Sequence, residues 1–177
     1  MVMIQIYTDG ACFPNPDGYG GWAFVAADEY DVKHIESGSE RTTTNNRMEL
    51  TAIIMAMQWC DNGTYIHSDS QYCINAITQW YDGWVAANKL DTKCNIDLIS
   101  VANELYKEKN LKLKWVKGHN GDIYNEIADD LASREMKSLF EEVNGMPLSL
   151  DEVAEQFIKP KRKTRLSKTH LEKTFQS

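Results

Sequence analysis

The alternation of apolar and polar residues predicts five short β-strands along this chain of 177 residues. The predicted strands span residues 2–8, 20–27, 31–39, 64–69 and 111–116. A short polar stretch joins the second strand to the third, as in a β-hairpin. Three consecutive strands at the start of the chain favour an antiparallel part of the sheet, and the last two strands follow helices.

Apolar residues recur at intervals of three and four between these strands, which predicts helices. The first helix begins near Asn45 and ends at Asn62-Gly63. Further helices are predicted over 70–84, 95–109 and 124–140, and we expect Asp82-Gly83 to break or kink the first of these three. The order β-β-β-α-β-α-α-β-α predicts an α/β protein with a mixed five-stranded sheet flanked by helices.

The character of the chain changes after about residue 140. The capping-box pair Ser149 and Glu152 predicts a short helix over 149–158, and residues 159–177 form a basic tail. The tail holds seven Lys or Arg residues and one Glu, and we expect it to be disordered without a partner. The predicted divisions are therefore 1–140, 141–158 and 159–177.

The net charge of −7 is the sum of +6 on the tail and −13 on the other 158 residues. An acidic body repels nucleic acid at long range, so a nucleic-acid role needs local basic patches, bound cations or the tail. No apolar window is long enough to cross a bilayer, and the N-terminus lacks the basic start of a signal peptide. The spacing of the four cysteines suggests neither a zinc site nor disulfides, so we expect a cytoplasmic protein with reduced thiols.

Two aspartates, Asp9 and Asp69, end short predicted strands that run into polar turns or helix starts. If those strands are parallel neighbours, the two carboxylates lie side by side at the carboxyl ends, where open α/β sheets place their sites. Glu49 lies one turn into the first helix, where it could lean over the sheet. Clustered carboxylates repel unless they are protonated or neutralised by cations, and hard oxygen ligands suit Mg²⁺.

Each acidic residue also has an ordinary structural explanation. Asp9 could simply form an Asp-Gly turn, and Glu49 could complete a capping box with Asn46. Asp69 could cap the following helix, as Ser68 or Ser70 could. A fourth acid, Asp129, could be a solvated helix residue like its neighbour Asp130. Taken singly, these explanations are stronger than the functional one.

Six segments together resemble type 1 ribonuclease H, in the same order and at similar intervals. They are YTDGAC, TTNNRMEL, SDSQY, ITQWYDGW, KWVKGHNG and NEIADDLA, and the resemblance spans residues 1–138. It implies a ribonuclease H-like fold with a catalytic domain over 1–140. It also implies an endoribonuclease that cuts only the RNA strand of RNA–DNA hybrids and leaves 3′-hydroxyl and 5′-phosphate ends. The implied enzyme acts as a monomer with Mg²⁺, or Mn²⁺ in its place, and holds two ions when substrate is bound.

The resemblance also assigns roles to individual residues. The metal-binding carboxylates would be Asp9, Glu49, Asp69 and Asp129, and His119 would assist proton transfer or product departure. Other positions would line the minor groove of the hybrid and contact the RNA strand. They are the backbone at Gly10 and Cys12 and the side chains of Asn15, Asn45, Asn46 and Gln71. The positions that hold the DNA strand are Thr44, Trp80 and Trp84. Contacts to sugar and phosphate carry no sequence information, so we expect largely sequence-independent cleavage.

Two departures from the family pattern concern substrate affinity. The segment 85–97 is short and has only Lys89 and Lys93, where many bacterial members carry a longer basic protrusion. Thr42 stands where an arginine usually precedes the pocket threonine, and Arg41 is one step further away. The basic tail could replace the lost charge, or it could be a solvated tail or a site for an acidic protein partner. The alternative functions are a catalytically silent hybrid-binding module and a different nuclease or strand-transfer activity on the same fold.

Overall fold

Five strands form one sheet in a computed structural model that describes residues 3–118 and 121–149. The strands are β1 (Gln5–Phe13), β2 (Gly18–Ala27), β3 (Val32–Thr43), β4 (Tyr65–Ser68) and β5 (Lys112–Trp115). Their order across the sheet is β3-β2-β1-β4-β5. The pairs β3-β2 and β2-β1 are antiparallel, whereas β1-β4 and β4-β5 are parallel. This arrangement confirms the predicted mixed five-stranded sheet.

Strand β1 is longer than the sequence predicted, because it continues through Asp9 to Phe13. Its antiparallel pairing with β2 extends to Phe13 opposite Tyr19. The prediction that Asp9 ends a strand is therefore wrong. The parallel pairing with β4, however, stops at Thr8 opposite Ser68. Asp9 thus lies at the first position of β1 that has no neighbour on the β4 side.

The helices flank this sheet at positions close to those predicted. They are α1 (Asn45–Trp59), α2 (Gln71–Asn75), α3 (Tyr81–Ala86), α4 (Ile96–Glu108) and α5 (Ile123–Asn144). Thr44 caps α1, because its side chain accepts a hydrogen bond from the amide of Arg47. None of the helices in the described ranges is long and apolar enough to span a bilayer.

The second predicted helix is irregular, but it does not break where the sequence suggested. Helices α2 and α3 are joined by a π-helical turn over Ala76–Trp80, and α3 continues through Gly83. The expected break at Asp82-Gly83 is therefore wrong. Gly83 lies in open space, and the side chain of Asp82 accepts a 2.7 Å hydrogen bond from Lys107 of α4.

Two apolar clusters cover the opposite faces of the sheet. The larger cluster packs α1 and α4 against one face, with Ile6, Phe24, Ile53 and Ile66 buried between them. The smaller cluster lies under α5 on the other face and contains Ala11, Ala23, Ala132, Met136 and Leu148. Helix α5 packs on β1, β2 and β3. The central strand β1 is therefore in contact with helices on both faces.

Helix α5 extends beyond the predicted end at residue 140. It ends at Asn144, and Gly145 follows in the left-handed conformation with a φ of +66°. The predicted helix over 149–158 lies almost entirely outside the described residues, as does the basic tail over 159–177. The division of the chain into three parts remains a prediction.

Candidate active site

Asp9 is buried in the middle of β1, at 5% exposure. Its Oδ1 accepts a 2.8 Å hydrogen bond from the amide of Gly10. A Cβ added at Gly10 would lie 2.4 Å from the backbone nitrogen of Glu49. Only glycine therefore allows the backbone of α1 at Met48 and Glu49 to approach β1 this closely, which explains why a glycine follows the aspartate.

Glu49 is brought to Asp9 by this close contact and is buried at 4% exposure. The alternative that it completes a capping box with Asn46 is wrong, since α1 begins at Asn45 with Thr44 as its cap. Glu49 Oε2 is buried and has no hydrogen-bond partner among the described residues. Such an oxygen requires a proton or a cation, because a buried unpaired charge is costly.

Asp69 follows the last residue of β4, as predicted. The cap of α2 is Ser70, whose side chain accepts a hydrogen bond from the amide of Cys73, so the capping alternative for Asp69 is wrong. The indole of Trp115 donates a hydrogen bond to the backbone oxygen of Asp69 at 3.2 Å. A Cβ added at Gly118 would lie 2.8 Å from Asp69 Oδ2, so the turn after β5 begins against this carboxylate.

The three carboxylates of Asp9, Glu49 and Asp69 converge on one point. One oxygen atom from each lies within 4.8 Å of the others. Asp9 comes from β1, Asp69 follows its parallel neighbour β4, and Glu49 lies one turn into α1. The predicted proximity of Asp9 and Asp69 is therefore confirmed, although β1 continues past Asp9. The gap beside β1, where β4 has ended, provides the space for them.

Burial and mutual repulsion favour protons on this cluster. Desolvation is the largest effect on Asp9 and, with the nearby charges of Asp69 and Asp129, raises its pKa to about 8 despite a hydrogen bond with Glu49. Desolvation also raises the pKa of Glu49 well above its usual value, and the charge of Asp9 adds to this effect. A site that must be protonated or neutralised near neutral pH is suited to a divalent cation.

Asp129 approaches the cluster from α5, on the opposite face of the sheet from α1. It is half-buried, and its negative charge contributes to the raised pKa of Asp9. The neighbouring Asp130 points outward and forms an ion pair with Arg134 at 2.9 Å. The sequence could not separate the two by burial, whereas the structure places Asp129 nearer to the cluster. A metal-binding role for Asp129 remains a prediction.

His119 lies outside the described residues, so its predicted role stays a prediction. Its chain neighbour Gly118 is described, and a Cβ added there would lie 2.8 Å from Asp69 Oδ2, so Gly118 lies near this carboxylate.

The residues assigned to the RNA strand lie around the start of α1. Asn15 is exposed, and its side-chain oxygen accepts a 3.0 Å hydrogen bond from the amide of Asn45. Asn46 and Gln71 lie at the first turns of α1 and α2, and Gln71 is exposed. Cys12 is fully buried, so the structure does not expose it to a ligand. In the amino-acid sequence, these residues lie close to Asp9, Glu49 or Asp69.

The two tryptophans assigned to the DNA strand lie on one side of the α2–α3 segment, with ring centroids 6.0 Å apart. Trp80 is 40% exposed, whereas Trp84 is half-buried and packs against the main core. Lys93 lies 5.4 Å from the centroid of the Trp84 ring. Trp80 is thus the ring that can meet a ligand, and Trp84 combines a core role with a cation–π contact.

A polar network beside Thr44 could not be found from the sequence. Arg47 donates two hydrogen bonds to the carboxylate of Asp97, at 3.0 and 2.7 Å, and a third to Asn95 at 3.4 Å. Asn95 adopts the left-handed conformation and donates to the hydroxyl of Tyr72. The network ties α1, α2 and the start of α4 together. The only signal in the sequence is the asparagine before a helix.

The fold and the site define an α/β protein with an acidic centre suited to a divalent cation, at the end of a parallel strand pair. A family model described as RNase H matches residues 2–137, and the chain belongs to this family. The Ribonuclease H of Acidiphilium cryptum is 40% identical over 149 residues, which are 79% of this chain and 90% of that protein. The Ribonuclease H of a Caulobacter species is 42% identical over 150 residues, covering 80% of this chain and 96% of that protein.

Solved structures show the same fold at lower identity. The crystal structure of LC9-RNase H1, a type 1 RNase H, superimposes with a TM-score of 0.68 at 24% identity, covering 78% of this chain and 74% of that one. The structure of LC11-RNase H1 in complex with an RNA/DNA hybrid gives a TM-score of 0.59 at 22% identity, covering 77% and 99%. The resemblance noted from the sequence motifs is therefore confirmed.

Proposed function

We propose that this protein is an endoribonuclease that hydrolyses the RNA strand of RNA–DNA hybrids. The observation that carries the proposal is the convergence of Asp9, Glu49 and Asp69 within 4.8 Å, in a chain of the RNase H family. The reaction class is hydrolysis of a phosphodiester. Water adds to phosphorus and the bond to the 3′ oxygen breaks, which leaves 3′-hydroxyl and 5′-phosphate ends.

The residues that would hold Mg²⁺ are Asp9, Glu49 and Asp69, with Asp129 as a fourth carboxylate. The buried, unpartnered Oε2 of Glu49 supports this assignment, because it needs a positive partner. Two such ions, for which Mn²⁺ can substitute, would activate the attacking water and stabilise the leaving oxygen.

The protein itself positions the carboxylates and controls their protonation. Gly10 and the capped start of α1 fix Glu49 against Asp9 before substrate arrives, so little reorganisation is needed. The raised pKa values of these two groups mean that their protons leave when a cation binds. We propose that His119, the chain neighbour of Gly118, assists proton transfer or product departure, and the proximity of Gly118 to Asp69 supports this role.

Selectivity for RNA requires groups that sense the 2′-hydroxyl, which is absent from DNA. We propose that the side-chain amides of Asn15, Asn46 and Gln71 perform this task together with Asn45 and the backbone at Gly10 and Cys12. Amide side chains and main chain can both donate and accept hydrogen bonds, as a hydroxyl requires. Their closeness in the chain to Glu49 and Asp69, with Asn45 and Asn46 before the first and Gln71 after the second, supports the assignment.

The DNA strand is proposed to lie across Trp80 and Trp84, with a phosphate near Thr44. The exposure of Trp80 supports contact with a sugar or base, and Lys93 beside Trp84 adds a positive charge. The rest of the short segment 85–97 adds only Lys89, so this region contributes less charge than a basic protrusion would. We further propose that the protein acts as a monomer in the cytoplasm.

Cleavage of a labelled RNA–DNA hybrid tests the proposed function. The wild-type protein should cut the RNA strand with Mg²⁺ or Mn²⁺, and a chelator should abolish cleavage. Asp69→Asn should lower the rate by at least about 100-fold, since it removes a cation ligand. Asp130→Asn is the matched control, because Asp130 is an exposed acid on α5, and it should keep wild-type activity.

Two outcomes would contradict the proposal. Tight hybrid binding without cleavage under any divalent ion would indicate a silent binding module. Cleavage of duplex DNA at a rate similar to that of the hybrid would indicate a different nuclease. Single-stranded RNA should also remain intact.

A further inference from the structure

The helical segment that carries the proposed DNA contact contains one irregular turn. This π-turn spans Ala76–Trp80 between α2 and α3, and the amide of Tyr81 donates to the carbonyl of Ala76, five residues earlier. A π-turn holds one residue more than the α-helical pattern allows, and such turns are frequent at functional sites. Removing one residue would rotate the following helix by about 100° relative to α2. The direction of the Trp80 ring therefore depends on the π-turn.

A buried amide from α4 binds the backbone of the π-turn. Asn103 is 4% exposed, and its Nδ2 donates a 2.9 Å hydrogen bond to the backbone oxygen of Ile77. Asn103 shares the buried side of α4 with Ile99 and Ala102, where apolar side chains pack. A polar group in such surroundings costs free energy unless it has a hydrogen-bond partner. The Ile77 carbonyl therefore explains why an asparagine is tolerated at this core position.

The same π-turn carries an exposed aromatic ring. The Trp80 ring meets the ring of Tyr72 edge-to-face, with centroids 6.0 Å apart. These two residues are eight positions apart, and a regular α-helix would separate them by about 80° around its axis. Ile77 is fully buried in the main apolar cluster, so the inner side of the turn is fixed while Trp80 faces outward. The π-turn thus joins a core carbonyl to a surface ring.

We infer that Asn103 is a positioning residue for the hybrid, because its amide holds the Ile77 carbonyl and so keeps Trp80 where it meets the DNA strand. The inference rests on the proposed function for the contact between Trp80 and that strand. Asn103 itself is too deeply buried to touch the substrate. Its effect should therefore appear in substrate affinity and not in the chemical step at the acidic cluster.

Two substitutions remove the donor at position 103. Asn103→Leu keeps the branched shape of the side chain without its polar atoms. Asn103→Ala leaves more room and is made in parallel, so that a folded protein without the donor is obtained. The matched control is Leu148→Ala, because Leu148 is similarly buried but lies in the smaller apolar cluster under α5, on the other face of the sheet. All three changes lower stability, so stability alone does not separate the two roles.

The first measurement is steady-state cleavage of a labelled hybrid. Asn103→Leu should raise KM by about 3- to 10-fold and leave kcat within about two-fold, whereas Leu148→Ala should change neither by more than about two-fold. Trp80→Ala is combined with Asn103→Leu in a double-mutant cycle. The double variant should have the KM of Trp80→Ala within about two-fold, because both changes remove the same contact. Independent effects would multiply to about 30- to 100-fold.

The second measurement does not depend on turnover. Hybrid affinity is compared in the presence of Asp69→Asn, and it should fall by the same factor as KM rises. The five tryptophans are also labelled with 5-fluorotryptophan for ¹⁹F NMR without substrate, and Trp80→Phe assigns the resonance of Trp80. Asn103→Leu and Asn103→Ala should shift this resonance, while the resonance of Trp59, at the end of α1, should stay in place.

Several outcomes would overturn the inference. Loss of stability with an unchanged KM and an unmoved Trp80 resonance would leave Asn103 with a structural role alone. A multiplicative KM in the double variant would show that Asn103 acts independently of Trp80. Failure of the proposed function would appear separately, as absence of cleavage by the wild-type protein or an unchanged KM in Trp80→Ala.

Discussion

Replacing Asp9 by asparagine should make the metal-free protein more stable near neutral pH, while it abolishes the proposed activity. The amide side chain would keep an acceptor for the backbone amide of Gly10, which Asp9 Oδ1 now uses. The change would remove a carboxylate that is buried beside Glu49 and repelled by Asp69 and Asp129. The substitution therefore removes the charge at this position and keeps the size and shape of the side chain.

The magnitude follows from the raised pKa of Asp9. The folded protein holds this proton up to a pH of about 8, whereas the unfolded chain releases it near a pH of about 3.9. Between these values the folded state binds more protons, so its stability falls as pH rises, by about 1.4 kcal/mol per pH unit and proton. The proton on Asp9 should therefore account for a loss of about 3 kcal/mol between pH 5 and pH 7, and Asp9→Asn should lose less than wild type by about that amount, because the buried Glu49 keeps its own contribution in both proteins.

The assay is urea unfolding in the presence of a chelator at pH 5, 6 and 7, followed by the same series with Mg²⁺. Wild type should be stabilised by Mg²⁺ at pH 7 and Asp9→Asn should not, because ligand binding to the folded state adds stability. Asp130→Asn serves as the control and should keep the wild-type pH slope. If Asp9→Asn kept that slope, or lost more than about 1 kcal/mol at pH 7, the electrostatic description of the site would be wrong.

Three further predictions concern single side chains. Gly10→Ala should lower the free energy of unfolding by more than about 2 kcal/mol in urea titrations and reduce hybrid cleavage by at least about ten-fold, because its Cβ would clash with Glu49. Gly83→Ala, at a helical position in open space, should instead raise the free energy of unfolding by about 0.5–1 kcal/mol and leave cleavage unchanged; a loss of stability would contradict the helical assignment. Trp80→Ala should raise KM for the hybrid about ten-fold with kcat nearly unchanged in steady-state assays, and an unchanged KM would remove this ring from the proposed DNA contact.

Local pattern was sufficient to predict the elements whose own periodicity is strong. Helix α1 was predicted to begin at Asn45, as observed, because its apolar stripe and polar start are both local signals. The length of β1 was not predictable, since residues 10–13 contain a glycine and precede a proline, as a turn would. The antiparallel partner β2 supplies the hydrogen bonds that keep this segment extended to Phe13. Such pairing depends on residues distant in the chain.

The acidic centre was predictable only as far as it follows from strand order. Asp9 and Asp69 meet because each follows the last pair of the parallel ladder between β1 and β4, and the pattern of strands and helices implies that these strands are neighbours. The contact of Arg47 with Asp97 spans fifty residues between two helices, and no spacing rule indicates it. The same holds for the indole of Trp115, which fixes the backbone of Asp69.

The observations together explain why the fold tolerates an unfavourable cluster. Thr8 opposite Ser68 is the last pair of the parallel ladder, so the sheet opens beside β1 just where Asp9 follows. Gly10 then admits α1 from one face, and α5 brings Asp129 from the other. Acidic groups from both faces therefore meet at this gap. The apolar clusters on the two faces of the sheet offset the free-energy cost of burying the acidic cluster, and bound cations would lower that cost further.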